Sequence, residues 1–189
     1  MLEVCQNCAI LLLTPCLSIE RKIIMKIKVQ KLTAEKFNKY GSFAALVNPQ
    51  SETTGPKDAT IVFFRDMVQQ DLSGKLPSFS TCQMKYRPLV IDAGEYHNHT
   101  CEVSMPLNGD ALVWVAPADC SDRVPVEKIE VFFVPQGTLL NLRPGVWHHA
   151  AFAVDQKPLD VMIVLPERAY INDCVCLSIP ENERPEIEY

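Results

Sequence analysis

The chain consists largely of short apolar runs that recur at regular spacing and are separated by turn-forming residues. Residues 111–116 read ALVWVA and residues 138–142 read TLLNL, with Asn108-Gly109-Asp110, Pro135-Gln136-Gly137 and Pro144-Gly145 as neighbouring turns. Regularly spaced short strands with such turns are typical of antiparallel sandwiches and barrels. Further strands are predicted at residues 27–30, 59–64, 79–85, 89–92, 101–107, 128–134, 146–154 and 159–165. We therefore expect a mainly-β fold.

Composition and charge limit the functional classes open to the chain. Its 189 residues, 48% of them hydrophobic and 22% charged, suit one domain with a sizeable core. The formal charge of -5 is mild and unclustered, so we expect neither a nucleic-acid surface nor a basic membrane patch. The eight cysteines are scattered or crowd the N-terminus, which favours reduced thiols over a disulfide framework.

The first 24 residues differ in character from the rest. We predict that translation starts at Met25, that residues 1–24 are a non-native or dispensable extension, and that residues 25–189 form a single domain. The apolar run at 9–13 is too short to span a bilayer and no basic signal region precedes it, so we expect a cytoplasmic protein with no membrane contact. Thr33 is a suitable N-cap for a short N-terminal helix, and the acidic tail from Pro180 is expected on the surface.

All four histidines lie in two short segments, His97 and His99 in GEYHNHTCE and His148 and His149 in VWHHAAF. Side chains alternate between the two faces of a strand, so His97 and His99 are expected to project together, as does Glu95. By the same alternation His148 and His149 face opposite sides, and only one of them is expected to face the interior. This clustering of all four histidines is more typical of a functional site than of a protein without one.

The order of these residues resembles the two-part metal motif of cupins. His97-x-His99 is followed by Glu102 and Gly109, and later by Gly137 and Pro144-Gly145-x-x-His148. Neutral imidazoles and a carboxylate hold a divalent transition ion while leaving positions open for substrate. Fewer residues separate His99 from Glu102 than in that motif, and Glu102 has the other parity unless a bulge or turn intervenes. Glu95 or Glu102 is therefore the carboxylate ligand, and a metal-free mechanism stays open.

A longer stretch narrows the resemblance. Asn141-Leu-Arg-Pro-Gly-Val-Trp-His-His149 resembles the VWHH segment of the ureidoglycolate lyases, and residues 26–41, Glu95-Tyr-His97 and 173–180 resemble further segments of that family. The resemblance implies a cupin-type β-barrel, usually dimeric, that splits ureidoglycolate into glyoxylate and urea in allantoin breakdown. Glu102 stands where the family usually has glutamine, and His99 matches no family position.

Roles follow from this resemblance and from the chemistry of the substrate, which carries a carboxylate, a hydroxyl and a urea leaving group. A divalent transition metal of unknown identity is expected on His97, Glu102 (or Glu95) and His148. His99, as fourth ligand or acid/base, and His149 are the candidate catalytic groups. The candidate cations for the carboxylate are Arg143, Arg87 and Lys85.

Two other interpretations remain. Another cupin enzyme, a metal-dependent oxygenase or isomerase acting on a small hydroxy acid, would use the same ligands. The second interpretation is a non-catalytic barrel that binds small acids in its cavity and does not catalyse a reaction.

Overall fold

The computed structural model describes residues 24–189, so the predicted extension at 1–24, with the Cys5-x-x-Cys8 pair, lies outside the described residues except for Ile24. Strands dominate this part of the chain. The strands are β1 (Lys26–Lys31), β2 (Gly41–Ala45), β3 (Thr53–Thr54), β4 (Phe63–Phe64), β5 (Pro77–Met84), β6 (Ala93–Tyr96), β7 (Glu102–Pro106), β8 (Ala111–Ala116), β9 (Glu130–Val134), β10 (Thr138–Leu142), β11 (Trp147–His148), β12 (Phe152–Ala153), β13 (Leu159–Pro166), β14 (Val175–Ser178) and β15 (Glu186–Glu188).

Two sheets make up the body of the molecule. One has the order β14-β6-β11-β8-β9-β1-β15, with β12 also paired to β8, and the other has the order β2-β10-β7-β13-β5. Most pairs are antiparallel, while β1 runs parallel to both β9 and β15. The expected mainly-β architecture is confirmed.

Strand β8 explains why the sequence has a continuous apolar run there. All six of its residues are buried, because both faces of its sheet are covered. One face joins the core between the two sheets, and the other joins a second cluster beneath β15 and the chain segments around it. The inner residues are Ala111, Val113 and Val115, and the outer ones are Leu112, Trp114 and Ala116. A strand buried on both sides loses the alternation of apolar and polar residues.

Helical structure is sparse in the described part of the chain. At the position of the predicted short N-terminal helix, Ala34–Phe37 form a single turn, α1, and Thr33 makes no side-chain cap. A second turn, α2, spans Ala169–Asn172, and a 3-10 turn spans Val126–Lys128. Neither α1 nor α2 has the length and apolar character that crossing a bilayer requires.

Several predicted strands differ from the observed ones. Only Phe63–Phe64 of the predicted strand 59–64 is extended and paired, and 89–92 contributes one isolated bridge from Val90 to Glu186. The C-terminal tail is not wholly a surface segment, because β15 pairs with β1 and buries Ile187. Charged residues flank that single apolar position, so composition alone indicates a solvated tail. The five described cysteines are free thiols.

Candidate metal centre and its cavity

A cavity of about 380 Å³ lies between the two sheets. Its walls come from the inward-facing positions of β5, β7, β8, β10 and β13, and most of them are apolar, including Val113, Leu140 and Ile163. Ser80 and Ser104 add hydroxyl groups on the same wall, because both pair across the sheet with Ile163. A cavity of this size and lining suits a small organic molecule.

His97, Glu102 and His148 meet at the wall of this cavity. Each is buried, and the carboxylate oxygen Oε2 of Glu102 lies 3.0 Å from Nε2 of His97 and 3.2 Å from Nε2 of His148. The three donor atoms all lie within 4.8 Å of one another. The two histidine segments identified in the sequence therefore converge on one carboxylate, and that carboxylate is Glu102 rather than Glu95.

The main chain fixes the orientation of both imidazoles. Nδ1 of His97 donates a hydrogen bond to the carbonyl oxygen of Asp173, and Nδ1 of His148 donates one to the carbonyl oxygen of Val146 at 2.9 Å. A carbonyl can only accept, so the Nδ1 proton is assigned in both rings and Nε2 is turned toward Glu102. This arrangement, with Nδ1 anchored and Nε2 free to coordinate, is the usual one for metal-binding histidines.

Without a metal ion the three groups stabilise one another through protons. Burial opposes the charged form of Glu102, but His148 and His97 outweigh it and lower the pKa of the carboxyl to about 2. Burial likewise opposes the charged form of His148, but Glu102 raises the pKa of that imidazole to about 9. Against the same effect of burial, Glu102 and the Asp173 carbonyl raise the pKa of His97. A carboxylate facing Nε2 of both rings demands a positive charge between them, supplied by protons or by a cation.

The donor set fits a divalent transition ion. Two imidazole nitrogens and one carboxylate oxygen are ligands that zinc, iron and manganese accept, and three protein ligands leave positions for a substrate. The cavity adjoins these donor atoms, so a small molecule can reach an ion held by them.

A bulge in the strand after Val146 places both members of the second histidine pair on the cavity wall. His148 pairs with Val115, and pairing resumes with Phe152 opposite Leu112, so residues 149–151 face only 113 and 114 of β8. The extra residue interrupts the alternation, and His149 lines the cavity beside His148. The expectation that only one of the pair faces the interior is therefore wrong, for the reason that β-bulges reset side-chain direction.

A turn has the corresponding effect in the first histidine segment. Strand β6 ends at Tyr96, and a bend through 98–100 separates it from β7, whose first residue is Glu102. Alternation does not continue through a turn, so Glu102 reaches the side of His97 despite its parity. For the same reason His99 does not accompany His97, which corrects the expectation that the two project together.

His99 lies on the exposed bend, with 70% of its side chain accessible, and does not line the cavity. Its Nδ1 lies 2.9 Å from Oδ1 of Asp173, whose carboxylate also accepts the backbone N–H groups of Asn98 and His99. Asp173 thus holds the bend with its side chain and His97 with its carbonyl oxygen. Sequence reasoning missed Asp173, because no local pattern links it to a bend more than seventy residues earlier.

The three candidate cations lie away from the cavity wall. Lys85 and Arg143 are exposed, and half-buried Arg87 donates to the carbonyl oxygen of Ala150 at 2.8 Å and stacks on the ring of Phe152. No lysine or arginine of the described residues lines the cavity. Arg87 therefore contacts the segment that carries His149 rather than the cavity itself.

A second cluster lies beside the first. Glu95, His149 and Cys176 have ligand atoms within 4.8 Å of one another, and the Cys174 thiol donates to Oε2 of Glu95 at 3.4 Å. Burial and then Glu95 raise the pKa of Cys174 to about 12. Burial lowers the pKa of His149, so its imidazole is neutral at neutral pH. The sequence does not link Cys174 and Cys176 to this cluster, because Glu95 and His149 come from distant segments of the chain.

A comparison with protein families agrees with the sequence resemblance. The family model for ureidoglycolate lyases matches residues 24–185. No curated protein matches the chain. Among solved structures, a Bacillus subtilis oxalate decarboxylase studied for its Mn(II) centres is 15% identical over 57% of this chain and 25% of its own, with a TM-score of 0.40. A dTDP sugar isomerase from Desulfovibrio desulfuricans G20 is 14% identical over 75% of this chain and 84% of its own, with a TM-score of 0.44. The chain thus spans about a quarter of the length of the decarboxylase.

Proposed function

The chain belongs to the ureidoglycolate lyase family, and from that premise we propose that it eliminates urea from ureidoglycolate to give glyoxylate. The observation that carries the proposal is the buried group of His97, Glu102 and His148 on the wall of a cavity of small-molecule size. These three residues would hold a divalent transition ion. When bound, the ion supplies positive charge for the substrate carboxylate and acidifies the neighbouring hydroxyl.

The absence of lysine and arginine from the described cavity wall supports this assignment. A substrate carboxylate entering an apolar cavity needs a positive partner. The wall offers imidazoles, hydroxyls and two carboxylates, Glu95 and Glu102, but no permanent cation among the described residues. In this proposal Arg143, Arg87 and Lys85 make no contact with substrate, and the serine hydroxyls of Ser80 and Ser104 orient the ureido group.

His149 is the proton-transfer group of the proposal. Its neutral imidazole takes the proton of the substrate hydroxyl, whose oxygen electrons form the new carbonyl as the carbon–nitrogen bond breaks. The departing nitrogen keeps the electrons of that bond and takes the proton back from His149. His149 thus takes up and returns the same proton, and neighbouring Glu95 stabilises the transient imidazolium. His99, on the exposed bend, has no proton-transfer role here.

The proposal extends to the cellular setting. We place the reaction in allantoin breakdown, in the cytoplasm, with a homodimer as the working form. The family resemblance supports the pathway and the homodimer.

The test is glyoxylate formation from racemic ureidoglycolate. Protein incubated separately with Mn²⁺, Zn²⁺ or Fe²⁺ is expected to produce glyoxylate with at least one ion, to lose activity with a chelator, and to regain it when the ion returns. His148→Ala is expected to lower turnover by about 100-fold or more, because it removes a ligand. Cys120→Ser, at an exposed free thiol outside the cavity and both clusters, serves as the control and keeps its activity. Folded, metal-loaded protein that forms no glyoxylate would overturn the proposal.

A further inference from the structure

Three neighbouring strands place a thiol, a carboxylate and an imidazole at one level of the sheet. Glu95 on β6 pairs with Cys176 on β14 at one side and with His148 on β11 at the other. Directly opposed residues of paired strands have close Cβ atoms and share a face. The bulge after His148 then turns His149 toward Glu95, so the three ligand atoms lie within 4.8 Å of one another.

From this geometry we infer that Glu95, His149 and Cys176 form a second metal site, selective for a thiophilic ion such as Zn²⁺. Donor atoms of a tetrahedral zinc site lie roughly 3.3–3.8 Å apart, given bonds of about 2.0–2.3 Å, so small side-chain rotations suffice to close this one. A thiolate ligand distinguishes it from the centre of His97, Glu102 and His148, which offers only nitrogen and oxygen.

The surroundings of the cluster favour ion entry and leave a coordination position open. Cys176 is exposed on β14, the edge strand of its sheet, so an ion can reach the thiol from solvent. Glu95 and His149 line the cavity, and three protein ligands leave the fourth tetrahedral position for water or another small ligand.

Occupation of this site has a consequence that rests on the proposed function. His149 cannot accept a proton while its ring nitrogen binds an ion, so a thiophilic ion at the second site stops elimination without displacing the ion at the first. The second site is therefore inhibitory, and its existence does not depend on the lyase reaction.

The test of the site uses Co²⁺, a spectroscopic substitute for Zn²⁺, in full-length protein with Cys5, Cys8 and Cys16 replaced by serine to remove N-terminal thiols. Binding is expected to produce a near-ultraviolet thiolate-to-cobalt charge-transfer band, which the nitrogen and oxygen centre cannot give. Cys176→Ser should abolish the band, whereas Cys82→Ser, a free thiol on the same cavity wall, should keep it. A band that survives Cys176→Ser, or no band in the parent protein, overturns the site.

Two further measurements separate the site from its consequence. X-ray absorption of the parent protein with Zn²⁺ at both centres is expected to show a sulfur shell that averages about one sulfur for every two ions, because only the second site has a thiolate. This measurement tests the site even if the Cys176 variant misfolds, and a shell of nitrogen and oxygen alone at two ions per chain contradicts it. In the glyoxylate assay, Cys176→Ser should raise the inhibitory Zn²⁺ concentration about tenfold or more, in keeping with loss of a ligand. A charge-transfer band without inhibition would leave the site standing and remove the proton-transfer role of His149.

Discussion

The residue that organises the first centre is Glu102, a carboxylate buried with two imidazoles against it. A buried charge is costly unless an opposite charge and good hydrogen bonds accompany it. Metal-free protein meets this requirement by protonating His148, and the proposed metal ion would meet it in the same place. Protons and the proposed ion would therefore compete for the same nitrogen atoms.

This competition predicts a pH dependence for the stability of metal-free protein. The pKa of His148 rises from 6.5 to about 9 on folding, so its stabilising contribution is complete below about pH 6.5 and is lost as the pH rises through about 9. The pKa of Glu102 falls from 4.5 to about 2, so its contribution is present above pH 4.5 and is lost as the pH falls toward 2. Urea unfolding in the presence of a chelator should give a free energy of unfolding that declines from pH 6.5 to 9.

Glu102→Gln supplies the control for that dependence. Glu102 makes the largest contribution that raises the pKa of His148, so without this carboxylate the decline in unfolding free energy above pH 6.5 should flatten. A decline of unchanged size in this variant would show that other groups cause it.

Arg87 distinguishes a positioning role from a substrate contact. Its guanidinium donates to the Ala150 carbonyl and stacks on Phe152, next to the segment that carries His149. Arg87→Lys keeps the charge but loses the planar contacts, so kcat should fall several-fold with little change in KM. Exposed Lys85 and Arg143 should tolerate alanine without change in either constant. A large rise in KM in any of the three variants would show that the cation replaced in that variant contacts the substrate.

At the scale of elements, two interruptions of regular strands assemble the site. The bend through 98–100 brings Glu102 to His97, and the bulge at 149–151 turns His149 into the cavity. The rule that side chains alternate between the two faces of a strand predicts the wrong directions for the side chains of His99 and His149. Bulges and bends depend on pairing with distant strands, so a single sequence does not reveal them.

The local sequence predicts some strands correctly and misses others, depending on how far each strand relies on pairing with a distant segment. The predicted bounds of β8 and β10 match the observed ones, because turn-forming residues lie close to the ends of both segments. The β2, β14 and β15 segments were not predicted, since each has mixed composition and is extended only because it pairs with a strand far away in sequence. Residues 59–64 are apolar yet mostly outside any strand, because no neighbouring strand pairs with their first half.

The segment between α2 and β14 offers a test of how elements support the first centre. Asp173 accepts two backbone N–H groups and lies against Nδ1 of His99, which fixes the bend beside His97. Asp173→Ala leaves those donors without a partner and should lower the free energy of unfolding by about 1–3 kcal/mol. It should also weaken metal binding about tenfold or more, because the support of His97 loosens.

Asp173→Asn retains one acceptor oxygen and should recover part of both losses, as measured by urea unfolding and metal titration. Unaltered metal affinity in folded Asp173→Ala protein would contradict the supporting role.

At the scale of the whole molecule, two facing sheets enclose a cavity whose described lining contains imidazoles and carboxylates but no lysine or arginine. Family membership and this cavity together favour a metal-assisted reaction on a small acid. The family resemblance further predicts a homodimer. Light scattering on purified protein should give twice the mass of one chain, and a monomer that retains full activity would contradict the dimer as the working form.

The most direct test of the proposed metal centre is an anomalous difference map from crystals grown with Mn²⁺, which disfavours thiolate ligands. We expect one strong peak within bonding distance of Nε2 of His97, Nε2 of His148 and the carboxylate of Glu102. An ordered cavity with no peak at these three atoms, or a peak only at Glu95 and His149, would contradict it.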